Sequence, residues 1–184
     1  IYWTYVHFHT YIKPDMLYLG LFSILLGSWS INEVPIQVLV LQNHVILSYM
    51  TYISLMLLPV PFLLFVRSLY HDEKDWGWNI AILLALLNTV AGIVLQVAGI
   101  RDMNRMLPCS HIVLGIAVLV VIYYTIREIR RGGLELRVKI NIGCIILDIA
   151  ASVADVLNYY FSSREFDSNM FGRLAFFIHI VLLG

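Results

Sequence analysis

Two aspartates, Asp148 and Asp155, interrupt an otherwise apolar stretch in the carboxyl-terminal part of the sequence. They are seven residues apart, and at about 100° per helical residue they point to within roughly 20° of the same direction. Asn141 and Ser152 share that face, so a helix here carries a polar stripe. An acid within a membrane costs on the order of 3 kcal/mol, so it needs a partner. The residues leave two interpretations open: a functional polar site, or carboxyls that only hold neighbouring helices together.

Polar side chains on other predicted helices reach a similar depth, and a histidine beside a carboxylate also responds to pH. Among them, His179 is the first partner that we expect for Asp155. For His111 a place in the headgroup region is the alternative. We predict a ligand-binding or signalling cluster of Asp148, Ser152, Asp155, His179, Gln96 and His111.

The usual catalytic signatures are absent from the sequence. It has no Gly-rich phosphate loop, no His-Glu-x-x-His pair, no Gly-x-Ser-x-Gly elbow and no Cys-x-x-Cys. A zinc site built from His44, His111, Asp155 and His179 lacks close ligand spacing on one helix, so we predict no metal and no cofactor. Twelve Lys and Arg balance twelve Asp and Glu, which gives no net charge to attract nucleic acid. The sequence therefore predicts that these 184 residues are not themselves an enzyme.

The composition predicts an all-α integral membrane protein, because 60% of the 184 residues are hydrophobic and only 13% are charged. A spanning helix needs about 20 mostly apolar residues. Pro59 and Pro61 should kink the second predicted span near its end, where they form either a hinge or a static kink. Six spans are predicted, the last one truncated: 16–32, 38–66, 78–99, 108–126, 140–162 and 173–184.

The positive charges predict the orientation of these spans. Eight of the twelve Lys and Arg fall on the side of the chain's first residues, which places both ends of the visible chain in the cytoplasm. The sequence REIRRGGLELRVK at 127–139 is expected to be a basic cytoplasmic loop near anionic lipid headgroups. Because the chain opens on Ile1 and stops within an apolar run, we expect a fragment, with one further upstream helix making seven.

Three segments carry a resemblance to a known family. They are LYLGLFSILLGSWSINE at 17–33, LLPVPFLLFVRSLY at 57–70 and SSREFDSNMFGRLAFFIHIVLLG at 162–184. These resemble the membrane part of bacterial seven-transmembrane receptors with diverse intracellular signalling modules, and in particular the variety that precedes GGDEF diguanylate cyclase domains. The resemblance implies one sensor domain over 1–184 of a probable seven-helix bundle in the bacterial inner membrane. It also implies an output domain downstream in the same chain, usually a diguanylate cyclase or a histidine kinase.

The preferred interpretation is a signal-sensing module that relays an extracytoplasmic signal to a cytoplasmic output domain, with a diguanylate cyclase as the expected output. Its expected partners are the lipid bilayer, that output domain, an extracellular ligand and a second copy of the chain. One alternative is a small ion or solute transporter or channel that uses Asp148 and Asp155. Another is a membrane anchor without a sensing role.

Overall fold

The computed structural model describes residues 14–32, 44–70, 75–132, 135–161 and 170–183, and every regular element in these ranges is a helix. Within these ranges, three stretches are long and apolar enough to cross a membrane: Ile46–Leu69, Trp76–Val97 and Met103–Arg131. The six-span count stays a prediction. The helices are α1 Pro14–Asn32, α2 His44–Leu57, α3 Pro59–Leu69, α4 Trp76–Val97, α5 Leu107–Arg131, α6 Leu136–Phe161 and α7 Met170–Leu183, with a short 3₁₀ helix at Met103–Met106.

The second predicted span, 38–66, is divided in the structure. α2 and α3 meet at Leu58, directly before the first proline, and α3 continues to Leu69. Leu58 keeps helical backbone angles, φ −50° and ψ −41°, and its N–H still donates to the carbonyl of Ser54 at 2.9 Å. The chain therefore stays helical across the division, while the two prolines each remove one helical hydrogen-bond donor.

The expected basic loop at 127–139 is mostly helical, which corrects the sequence prediction. α5 continues to Arg131 and α6 begins at Leu136, so only the short segment 132–135 connects them. Arg and Glu favour helices, and a helix that leaves a bilayer need not stop at its surface. Arg131 pairs with Glu128 one turn earlier at 3.0 Å, and the Arg127 guanidinium lies 5.7 Å from the centre of the Tyr124 ring.

The chain divides into two compact units, residues 1–123 and 124–184, and α5 runs through both. In the first unit, α1 packs against α2 and α3, and α4 packs against the same two helices. The rings of Phe22 on α1 and Phe62 on α3 lie 5.3 Å apart. Trp78 at the start of α4 and Leu63 on α3 are both fully buried.

Beyond Trp78, helix α4 packs through small residues and exposes large ones. Ala81, Ala85, Thr89 and Gly92 are buried along one face. Small side chains let helix backbones approach closely, which is the usual way in which helices pack within membranes. The exposed face carries Ile80, Leu83, Leu87, Val90 and Val94.

The second unit contains the end of α5 together with α6 and α7. α7 packs against α6 through Gly172, Ala175, His179 and Leu183, all of them buried. This face again consists mainly of small or polar side chains. Phe171, Leu174, Phe177 and Val181 lie on the exposed side of α7.

Candidate functional site

A buried histidine joins α7 to α6 at two points. Nδ1 of His179 contacts the Asp148 carboxylate oxygen Oδ2, and Nε2 lies 3.1 Å from the Asn141 side-chain oxygen Oδ1. His179 and Asn141 have no solvent exposure, and Asp148 is 3% exposed. We call these three residues the buried trio.

The buried trio is electrically neutral in the proton arrangement that its geometry requires. Nε2 must carry a proton, because it faces the carbonyl oxygen of Asn141. One further proton must lie between Nδ1 and the carboxylate, on either atom. An imidazolium with a carboxylate and an imidazole with a carboxylic acid both satisfy this, and neither leaves a net charge in the apolar interior.

Asp155 has a different partner, the beginning of α7. The Gly172 backbone N–H, in the first turn of α7, donates to Asp155 Oδ2 at 2.7 Å. The first N–H groups of a helix have no partner within it, and the helix dipole favours a negative charge there. A Cβ atom at position 172 would lie 2.5 Å from Asp155 Oδ2, so only glycine allows this close approach. Asp155 therefore caps α7 from a neighbouring helix.

The pairing of His179 with Asp155 that the sequence analysis expected is wrong. His179 contacts Asp148, one heptad away along α6. The prediction began the last helix at Arg173 and placed His179 close to the level of Asp155. In the structure α7 begins at Met170, so His179 lies nine residues, or roughly 14 Å at 1.5 Å per residue, from that end.

Both contacts belong to one antiparallel register of α6 and α7. Moving back seven residues on α6, from Asp155 to Asp148, corresponds to moving forward seven residues on α7, from Gly172 to His179. A third contact lies at the other end of the pair, where the Arg137 guanidinium donates to the Leu183 carbonyl at 3.2 Å.

Each aspartate in this pair has spare hydrogen-bonding capacity. Oδ2 of each residue takes part in a helix-to-helix contact. Oδ1 of each is buried and has no hydrogen-bond partner within the described part of the chain. Ser152, predicted as part of the cluster, lies half-buried on α6 between Asp148 and Asp155.

Gln96 holds a turn of the first unit together. Its side-chain oxygen accepts the Met103 backbone N–H at 2.8 Å, and its amide nitrogen lies 3.4 Å from the Tyr49 hydroxyl. These contacts join the end of α4 to the 3₁₀ helix that precedes α5. This arrangement gives Gln96 a structural role that the sequence analysis did not anticipate.

His111 lines a small cavity of the first unit, together with one of the predicted hinge prolines. Pro59 lies in the same cavity wall, whereas Pro61 is buried elsewhere in α3. Asn88 on α4 also lines this cavity, eight residues before Gln96 and so roughly 12 Å from it along the helix. His111 and Gln96 therefore occupy separate places within the first unit. That the six predicted residues form one cluster stays a prediction.

Several residues buried or bonded within the two units were missed or given another role. Arg137 was expected at the lipid headgroups, and Thr89 was not considered. The pattern of α4 holds a signal for Thr89, because it continues the spacing of the small residues Ala81 and Ala85. Asn141 was placed on the correct face but was not matched to His179.

A comparison with known proteins identifies the family. The family model described as 7TM diverse intracellular signalling matches residues 6–184. No curated protein and no solved structure matches the chain. The match covers both units, including the described helices that are long and apolar enough to cross a membrane. The chain therefore belongs to the 7TM diverse intracellular signalling family, as a multi-pass membrane protein of a sensing and signalling kind.

Proposed function

We propose that this chain is the transmembrane sensor of a receptor that relays an extracytoplasmic signal to a cytoplasmic output domain in the same polypeptide, with a diguanylate cyclase as that output. The sensor residues themselves do no catalysis in this proposal. The bacterial inner membrane is the proposed location, with both ends of the visible chain in the cytoplasm. Family membership supports the sensing role.

The observation that carries the proposal is the paired register of α6 and α7. The Asp148–His179 contact and the Asp155–Gly172 contact must break together if α7 slides along α6. A helix held by discrete contacts has discrete positions, and a relay needs two such positions that a ligand can favour differently. α7 is thus the element that we propose carries the signal towards the cytoplasm.

The proposed relay is tested in cells that produce the full-length receptor and a fluorescent reporter of cyclic di-GMP. His179→Gln removes the two-sided contact, and Ile178→Val is the control on the neighbouring, partly exposed position. Interhelical hydrogen bonds in membranes average about 0.6 kcal/mol and reach about 1.7 kcal/mol, so a two-state output should shift by roughly 3-fold to 18-fold. Ile178→Val should leave it unchanged.

The outcomes separate the two parts of the proposal. Unchanged output in a His179→Gln receptor of normal abundance would reject the α6–α7 relay. Wild-type receptor that leaves cyclic di-GMP at the level of cells without it would reject the cyclase output.

The transporter alternative has its own test, because both Asp148 and Asp155 keep one buried oxygen outside the helix-to-helix contacts. Purified protein in liposomes is assayed for ion or proton flux, with the variant Asp148→Asn, Asp155→Asn as the comparison. Flux that this variant loses would favour transport. We expect no flux from either protein.

A further inference from the structure

The division between α2 and α3 leaves backbone acceptors without helical donors. Pro59 has no N–H, so the carbonyl of Leu55, four residues earlier, receives no helical hydrogen bond. Pro61 has the same effect on Leu57. Away from bulk water such a carbonyl needs another donor, which neighbouring helices or an ordered water molecule can supply.

Helix α4 supplies a donor to the carbonyl next to these. The Thr89 hydroxyl lies 3.1 Å from the Met56 carbonyl and 3.0 Å from the Ala85 carbonyl of its own helix. A Cβ atom at Gly92 would lie 2.9 Å from the Met56 sulfur, so α4 approaches α2 closely at this level. α4 thus places a hydroxyl donor at the level of the proline division.

A cavity of about 20 Å³ lies beside this division. A water molecule needs roughly 10–15 Å³ of such space, so the cavity suits one water and is too small for a ligand of several heavy atoms. Leu55, Met56 and Pro59 line one part of it, and Asn88, Ser110, His111, Val113 and Leu114 line the rest.

The polar side chains of this cavity are already oriented. The Asn88 amide donates to the Ser110 hydroxyl at 3.1 Å, and that hydroxyl lies 3.3 Å from the Met106 carbonyl. An asparagine side chain has a carbonyl oxygen and a second N–H beyond the one used here. A water in the cavity therefore lies beside Asn88 on α4 and beside Leu55 on α2, whose carbonyl lacks its helical donor.

We propose that this cavity is a binding site for a single structural water molecule, which donates to the Leu55 carbonyl and bonds to Asn88. The water replaces the hydrogen bond that Pro59 removes and gives the α2–α3 division an exchangeable donor. This site lies in the first unit and does not depend on the proposed sensing function.

The test is X-ray radiolytic footprinting of the full-length protein in lipid nanodiscs, with methionine oxidation read by mass spectrometry. Irradiated water produces hydroxyl radicals at its own position; such a radical adds to a neighbouring thioether, and dissolved oxygen completes the two-electron oxidation to the sulfoxide. Met56 lines the cavity and is 3% exposed, while Met103 has the same exposure and does not line it. We expect Met56 to be oxidised several-fold faster than Met103.

Two variants distinguish a bound water from general access of solvent. Asn88→Leu removes the polar partner, and Val113→Phe fills the cavity. Each should bring the oxidation rate of Met56 down to that of Met103. Equal rates in the wild-type protein would overturn the proposal, as would a fast Met56 rate that both variants leave unchanged. Equal wild-type rates overturn the proposal even if a variant fails to fold, and either variant that folds distinguishes a bound water from general solvent access.

Discussion

One buried side chain, His179, makes two of the contacts between α7 and α6. Its two ring nitrogens reach two different residues of α6, seven positions apart. Any substitution at this position must replace both contacts in a place that water does not reach. Glutamine can do so only in part, because its amide group has a different shape from an imidazole ring.

Gly172 gives the sharpest prediction for a single residue. Gly172→Ala should lower the thermal stability of the purified protein, because the new methyl group would lie 2.5 Å from Asp155 Oδ2 and force the cap apart. A carboxylate at a helix start contributes about 0.3–2 kcal/mol, and for a chain of this size that is a loss of up to several degrees in Tm. The measurement is a melting curve in detergent.

Gly143 on α6 is the control for this substitution. It is exposed, and a Cβ atom there would meet nothing within 4 Å. Gly143→Ala should therefore keep or slightly raise Tm, since alanine favours a helix more than glycine does. Equal melting temperatures for the two variants would contradict the capping role of Asp155.

At the scale of elements, the division between α2 and α3 is the feature with most consequences. A proline pair would leave a helix weakened in isolation. Here α4 lies close enough to supply a hydroxyl at Met56, and the small residues Ala85 and Gly92 make that approach possible. We infer that the contact with α4 stabilises the α2–α3 division, which the sequence of α2 and α3 alone would not do.

Thr89→Val tests this dependence. The change keeps the shape of the side chain and removes the hydrogen bond to Met56, so we expect Tm to fall by a few degrees, in line with a loss of about 1 kcal/mol. Thr51 is the matched control, because its hydroxyl donates only to a carbonyl of its own helix, Leu47, at 3.0 Å. A drop for Thr51→Val as large as that for Thr89→Val would argue against the contact between helices.

The hinge prediction concerns the same division. In the variant Pro59→Ala, Pro61→Ala the carbonyls of Leu55 and Leu57 regain helical donors, so we expect a continuous helix across the division. If the division is a hinge, the full-length receptor should also respond less to its signal. Unchanged output together with an unchanged response would remove the hinge and leave a static kink.

At the scale of the whole molecule, the bilayer takes the place of water as the surrounding solvent. The large apolar side chains on the outer faces of α4 and α7 would be a liability in water but suit lipid. Small or polar residues lie on the faces of α4 and α7 that are buried, whereas the first unit also buries large apolar side chains such as Phe22 and Phe65.

The proposed orientation predicts which chain segments face the outside. Asp102 precedes α5 and Glu135 follows it, and both are exposed. In a protein whose two cysteines, Cys109 and Cys144, are replaced by serine, Asp102→Cys should react with a membrane-impermeant maleimide in spheroplasts. Glu135→Cys should react only after lysis.

Two other results of this labelling are informative. The opposite pattern would invert the orientation inferred from the positive charges. Labelling of both positions from outside would mean that α5 does not cross the membrane. In either case the relay proposed for α7 would need a different direction.

Much of the structure of this protein follows from its sequence alone, because the bilayer limits the structures that the chain can form. The 60% hydrophobic composition indicates that the chain lies in a bilayer. Because unpaired peptide groups are costly in that apolar solvent, the chain is restricted to helices. The polar stripe of α6 is equally visible, because helical periodicity fixes which residues of one helix share a face. Periodicity alone therefore places Asp148, Asp155 and Asn141 together.

Packing in three dimensions determines which residues meet across helices. Sequence periodicity carries no information on the axial register between α6 and α7, and an error of seven residues gave His179 the wrong aspartate. Composition likewise did not show that the capping partner of Asp155 is a backbone N–H of Gly172. Such pairs depend on where each helix begins and on how closely small residues let two backbones approach, and both are set by packing between helices.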